Sequence, residues 1–311
     1  MKKIRPRFRR WTWARRATAL AFLALIILGG REWFPWFTGS TPDSTLLETV
    51  PLADPLAALE VLLATGAIES TLLIGACILV AVALLLGPVF CGWACPLGFL
   101  LDLNDGIRLR LKRFLGRIKV YLPALNSPRE MRYMALGVAL GFSAAAGLPA
   151  FQTVSPIHLV SRLFVFYPEP ALAGDQAFMS KLAMIARTTV AAGGFLLIVL
   201  VLIFVIEYLA PRIFCRALCP LGAMYGVLGW FAPLRVRVND KPRCPAACKQ
   251  CTTYCPMGIQ VKEDFTSAGK QVITRMECTR CGACVDQCPG GVLALGFSRK
   301  VPGPSPAVKK G

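Results

Sequence analysis

The chain has a single histidine, His158, among its 311 residues, and no Cys-x-x-Cys-His. A c-type haem needs that motif, and a b-type haem held within one chain needs two axial histidines, so both are excluded. No GxxxxGK[ST], no HExxH and no GxGxxG opening a helix occurs, which leaves ATP binding, zinc proteolysis and a Rossmann cofactor without support. Acidic residues are scarce, 17 against 35 Lys and Arg, for a net charge of +18. Such an excess suits nucleic acid, but here the basic residues stand in blocks beside apolar spans. They orient a chain in a membrane, and nucleic acid is not expected as a partner. With 55% hydrophobic residues and a mean hydropathy of +0.57, the chain is too apolar for an ordinary soluble domain.

Four spans are expected. The first, about 13–33, follows eight Lys and Arg in the first sixteen residues and is flanked by Trp11, Trp13, Trp33 and Trp36. Arg9-Arg10 hints at twin-arginine export, yet large aromatics occupy the place of a cleavage site, so the span reads as retained, with the N-terminus inside. Residues 34–69 read as an outer loop with five acids, in which Pro55 to Thr65 has helical spacing and is expected on the membrane surface. The second span is Thr71 to Phe90, the third about Tyr133 to Phe151, the fourth Thr188 to Leu209. Basic blocks at 108–119 and 212–243 put the following segments inside.

Both even-numbered spans end on the same sequence. Cys91-x3-Cys95-Pro-Leu-Gly recurs 124 residues later as Cys215-x3-Cys219-Pro-Leu-Gly. A duplication of this kind points to two pseudo-symmetric halves with a site between them. In a helix, i and i+4 share a face, so the two pairs offer four converging thiols. Three readings stay open: a third iron–sulfur centre or other metal centre, a redox-active or transient-metal site, and simple packing. Cys77, alone in mid-span, reads as packing.

Near the end the thiols become dense: Cys244-x3-Cys248-x2-Cys251-x3-Cys255-Pro, then Cys278-x2-Cys281-x2-Cys284-x3-Cys288-Pro. This is the spacing of a bacterial two-cluster ferredoxin, in which the fourth cysteine of each run serves the other cluster. Two [4Fe-4S] clusters are expected, one on Cys244, Cys248, Cys251 and Cys288, the other on Cys278, Cys281, Cys284 and Cys255. Zinc has no need of four-cysteine runs closed by Pro, and disulfides do not suit an inside location. The first run departs from the pattern by three residues between its first two cysteines, which loosens the loop at Cys244.

Quinol oxidation releases protons, and Glu207 and His158 are the ionisable groups near the membrane boundary, with Asp54 a third. Their bland roles are a snorkelling or Arg212-paired Glu207 and a helix-capping His158.

Over nearly its whole length the chain resembles the membrane-bound ferredoxin-type proteins of the NapH/MauN group. The residues that carry this are the basic Trp-containing start, Thr49-Val50-Pro51-Leu52-x-Asp54-Pro55-Leu56, both Cys-x3-Cys-Pro motifs, Leu221-Gly222-Ala223-x-Tyr225-Gly226-Val227-Leu228-Gly229, and the terminal double ferredoxin. Members accompany periplasmic nitrate reductase and methylamine utilisation. The resemblance implies four spans, cytoplasmic termini, location in the bacterial inner membrane, and transfer of electrons from the quinol pool toward periplasmic or membrane redox partner subunits.

The expected fold is thus an all-α membrane bundle of four transmembrane helices, internally duplicated, with a C-terminal α+β two-cluster ferredoxin-like domain. Its parts are a basic cytoplasmic tail over 1–12, the transmembrane domain over 13–236, the ferredoxin domain over 237–297 and a disordered tail over 298–311. The expected role is an electron-transfer subunit of a quinol dehydrogenase-type complex. The alternative is an accessory factor for copper reduction or for maturation of a partner redox enzyme.

Overall fold

The computed structural model describes residues 9–30, 37–39, 43–46, 50–117, 130–149, 151–152, 155, 198, 201–207, 212–239, 244–245 and 248–298. His158, most of the expected fourth span and the tail from 299 lie outside them.

Helix α1 (Arg10–Gly30) leads to three short antiparallel strands, β1 (Phe37–Gly39), β2 (Asp43–Leu46) and β3 (Val50–Ala53), with Thr45 facing Thr38 on one side and Pro51 on the other. Asp54 then caps α2 (Pro55–Thr65), with Pro55 at the first helical position, where its missing N–H costs nothing. A left-handed Gly66 ends α2, and α3 (Ser70–Leu86) returns antiparallel to it.

Helix α2 differs from its sequence reading as a surface-lying element. Pro55, Leu56, Ala57, Ala58 and Glu60 are buried, and only the far end exposes Leu62 and Leu63. The cause is where β3 delivers the chain. Leu56 joins an apolar cluster with Ala83 near the end of α3 and with Cys95, Cys219, Leu221 and Tyr225. The outer-loop segment therefore folds inward, and the small face of α2 packs on α3 and α5.

The first half continues through a turn at Phe90–Ala94 into α4 (Pro96–Arg117). The second half has α5 (Met131–Ala146), a helical segment over 201–207, a turn at Phe214–Leu218 and α6 (Pro220–Leu228). Asp102 of α4 ties these parts together. It pairs with Arg15 and, at 2.7 Å, Arg16 of α1, and with Arg212 of the second half at 3.3 Å. Among the described residues no helix is long and apolar enough to cross a membrane. Helix α3, apolar throughout, has 17 residues, a rise of about 26 Å.

In the cysteine-rich domain, β4 (Leu234–Val238) pairs antiparallel with β5 (Leu293–Phe297), Val236 opposite Leu295. The expected boundary at 237 falls within β4. Val236, Ile259, Val261, Phe265, Ile273 and Val292 form its core, with one-turn helices α7 (Gln250–Thr253) and α8 (Ala283–Asp286) carrying parts of the cysteine runs. The domain is docked, not tethered. Asp286 accepts from the N–H groups of Trp11 (3.2 Å) and Thr12 (2.7 Å), closing the start of α1. Arg280 reaches the main-chain carbonyls of Leu86 and Gly229 at the ends of α3 and α6.

Candidate metal centres

Six of the eight C-terminal thiols, Cys244, Cys251, Cys255, Cys278, Cys284 and Cys288, pack in or against the β4–β5 core. Cys255 lies within electrostatic reach of Cys278, Cys281 and Cys284, the three leading thiols of the other run. Cys288 correspondingly neighbours Cys244 and Cys251, and Cys248 neighbours Cys244. These neighbours are compatible with the expected crossing of the fourth cysteines, and Cys284 also lies within reach of Cys251. Burial pushes the Cys255 thiol up to about 12, with Cys281 adding to it, and Cys284 is raised by the same causes. Thiols so placed are poor acids until a cation takes the charge. The longer loop after Cys244 is anchored, because Lys262 donates to the Pro245 carbonyl at 3.1 Å. An all-sulfur donor set of eight thiols, four of them buried and packed among Val, Ile and Phe, fits two four-iron clusters.

The duplicated motif has one geometry in both halves, and it is not the i, i+4 helical face. Phe90–Ala94 and Phe214–Leu218 are single π-helical turns, closed by Cys95 N–H to Phe90 O at 2.9 Å and Cys219 N–H to Phe214 O at 2.8 Å. The second cysteine of each pair leaves the turn extended, immediately ahead of the next helix. Its Sγ accepts from the N–H three residues on, Gly98 at 3.4 Å and Gly222 at 3.3 Å. Cys-Pro-Leu-Gly is therefore an N-cap, a Pro at N1 and a donor at N3, with sulfur doing the work of the usual hydroxyl. Single π turns recur at functional sites, and a helix N-terminus favours a thiolate or a metal-bound sulfur.

All four thiols face one cavity, lined also by Phe90, Phe214, Arg132, Arg212 and Thr279. Burial raises Cys91 and Cys215, and each feels the other pair; Cys219 is pushed up to about 12 by burial. Among the described residues no three His, Cys, Asp or Glu side chains close on one point as a single bound ion needs.

This site touches the second cysteine run. A Cβ at Gly92 would meet the Thr279 carbonyl at 2.7 Å and the Cβ of Cys281 at 3.5 Å, so glycine is what lets the two loops approach. Trp93 Nε1 donates to the Arg280 carbonyl at 3.3 Å, and Arg212 is within electrostatic reach of both Cys215 and Cys281.

Glu207 is buried and accepts from the Phe214 N–H at 2.9 Å, so it holds the start of the second π turn. Cys77 is exposed on α3 and packs no core. Beside the thiol cavity lies a polar group of which the sequence singled out only Asp54. Asp54 Oδ1 accepts from Leu56 N–H at 3.1 Å and Oδ2 from Gln152 Nε2 at 3.3 Å. Glu60, fully buried, accepts from Phe151 N–H at 3.1 Å. Burial pushes Asp54 up to about 6 against the bonds from Leu56 and Gln152. An acid in a mainly apolar helix, at Glu60, was the available signal.

Comparison with known proteins matches both halves. Residues 71–115 and 192–239, one Cys-x3-Cys-Pro each, fit a family model described as a 4Fe-4S binding domain. Residues 243–293 fit one described as a 4Fe-4S dicluster domain. The chain is 31% identical to the ferredoxin-type protein NapH of Haemophilus influenzae, over 90% of this chain and 87% of that one. It is 29% identical to NapH of Escherichia coli (93% and 90%), and 30% identical to the methylamine utilization ferredoxin-type protein MauN of Methylobacillus flagellatus (92% and 90%). No solved structure matches the chain. With a dicluster domain carrying eight cysteines at its end and such likeness along nearly its full length, the chain belongs to the NapH/MauN family of ferredoxin-type iron–sulfur electron-transfer proteins.

Proposed function

We propose that this protein is a multi-pass component of the bacterial inner membrane, with both termini cytoplasmic, that draws electrons from quinol and passes them toward a periplasmic or membrane redox partner. The observation that carries the reading is the contact between the thiol cavity and the second cysteine run. Gly92 lies against Thr279 and Cys281, so the site between the halves and the ferredoxin domain form one continuous path. Iron–sulfur clusters supply one-electron transfer when bound. The protein's own part is to hold the thiols buried, orient them by helix N-termini and keep water away from them.

The membrane placement is supported by apolar side chains left outside the packing. Leu73, Ile74 and Leu85 on α3, Met134, Val138 and Phe142 on α5, and Val201, Leu202 and Val205 in the second half are all exposed. An apolar exterior of that extent suits lipid. The four thiols at Cys91, Cys95, Cys215 and Cys219 act as a third centre of the cluster type. In support, they line one cavity from two halves, each of which fits a 4Fe-4S binding domain model.

Anaerobic purification in detergent, with iron and sulfide counted and EPR recorded before and after adding quinol, tests the reading. It expects about twelve iron per chain, at four per cube, and a reduced-cluster signal with quinol alone. A signal that only a low-potential cytoplasmic donor elicits would overturn it.

A further inference from the structure

The polar group beside the thiol cavity is incomplete. Glu60 Oε2, Gln152 Oε1 and Ser155 Oγ are buried without a hydrogen-bond partner, although Glu60 is 0% and Ser155 1% exposed. They share one short stretch of structure. Glu60 accepts from the N–H groups of Phe151 and Gln152 and from the Ser143 hydroxyl, Gln152 holds Asp54, and Ser155 N–H closes a turn onto Phe151 O at 2.7 Å. Neither Asp54 nor Glu60 takes part in an ion pair among the described residues.

Two of the three open atoms are pure acceptors and the third, a hydroxyl, accepts as readily as it donates. Leaving them bare costs roughly 1–3 kcal/mol each, so the group is built for something that brings hydrogen-bond donors. Asp54-Pro55-Leu56 stands ahead of one Cys-x3-Cys-Pro and Ser155-Pro156-Ile157 ahead of the other. The surroundings are apolar and partly aromatic. Leu56 packs with Cys95, Cys219 and Tyr225, with Phe90, Leu140 and Phe151 alongside, and Asp54 is within electrostatic reach of Cys91 and Cys219.

Building on the quinol reading above, we propose that Glu60, Gln152 and Ser155 form the binding site for a quinol headgroup, with Glu60 Oε2 accepting its hydroxyl and Asp54 positioning Gln152. An aromatic ring with a hydroxyl supplies both the donor that the open acceptors need and the flat apolar surface that the neighbours fit. Oxidation of quinol to quinone releases two electrons and two protons. Bound clusters, when oxidised, would take the two electrons one apiece, and Glu60 and Asp54 the two protons.

The test is photo-crosslinking of the detergent-solubilised holoprotein with an azidoquinone, mapped by mass spectrometry, beside EPR after quinol and after dithionite. Labelling of 54–60 or 151–155, weakened about tenfold by Glu60→Gln and Ser155→Ala with the dithionite signal intact, supports the site. Ser155→Ala removes no bond made within the chain, so its loss of labelling cannot be blamed on misfolding. Labelling elsewhere, unchanged in both variants while quinol still reduces the clusters, overturns the site and leaves the electron-transfer reading in place. Labelling and quinol reduction both missing from the wild type would end that reading and the site with it. Sodium-dependent stabilisation abolished by Glu60→Gln, with no azidoquinone label at the group, would make it a cation site and overturn the proposal.

Discussion

Arg280 Nη1 donates to the Leu86 carbonyl at 2.6 Å, and its Nη2 to Gly229 at 2.5 Å. One guanidinium from the cysteine-rich domain thus closes the last turns of α3 and α6, one helix from each half, where a cation meets the negative end of both helix dipoles. Gly87 makes room for it: its φ is +77°, and a Cβ there would lie 1.0 Å from Arg280 Nη1. Arg280→Met, which keeps bulk and removes the donors, should cost about 2–4 kcal/mol, since two charge-assisted bonds to buried carbonyls go at once. Hydrogen exchange should rise at 86–92 and 227–231 together. Faster exchange in only one of the two segments would show that Arg280 does not couple the halves.

The crossed thiol sets make opposite predictions for two similar substitutions. Cys255→Ser should alter the EPR signal of the cluster held by Cys278, Cys281 and Cys284, and Cys288→Ser that of the cluster held by Cys244, Cys248 and Cys251. If each variant disturbs the cluster of its own run, the crossing is wrong.

Replacing Cys91 and Cys215 with Ser should lower iron from about twelve to about eight per chain, one cube's worth, and leave the ferredoxin pair reducible by dithionite. A redox partner isolated from such cells should carry its metals and lack only electrons. A partner lacking its own metal centre would instead favour the maturation role.

Burial holds the Asp54 carboxyl at about 6, above the ordinary 3.8. The folded chain therefore binds that proton more tightly than the unfolded chain. The contribution to stability is full below the ordinary value and fades as pH rises through about 6. Asp54→Asn keeps the helix cap and removes the titration. Unfolding temperatures compared at each pH should show the variant gaining on the wild type between about pH 4 and 6, by on the order of a few kcal/mol. Parallel profiles would place the proton elsewhere.

Chemistry that depends on residue identity at fixed spacing was open to reading from the sequence alone. The two cysteine runs and the repeated Cys-x3-Cys-Pro name their ligands by local spacing, because a cluster or a cap uses neighbours in the chain. The backbone under the repeat was not open in the same way. Nothing in Phe-Cys-Gly-Trp-Ala or Phe-Cys-Arg-Ala-Leu marks a π turn; in the fold Gly92 lets the first approach Thr279, and Glu207 holds the start of the second. Helix α2 was misplaced because its composition suits a membrane surface as well as a protein interior, and the decision lay with where β3 ends. The group at Glu60, Gln152 and Ser155 was out of sight for a plainer reason: its members are scattered along the chain and meet only through packing.

The contact between Asp286 and α1 has a consequence for how the molecule is made. The first helix leaves the ribosome long before Asp286 does, so the N–H groups of Trp11 and Thr12 wait without their acceptor until nearly the whole chain has been synthesised. The ends of α3 and α6 wait likewise for Arg280. The cysteine-rich domain therefore acts as a final latch, and a chain truncated before it, or one whose last domain cannot take up iron, presents open helix ends that a quality-control protease can recognise.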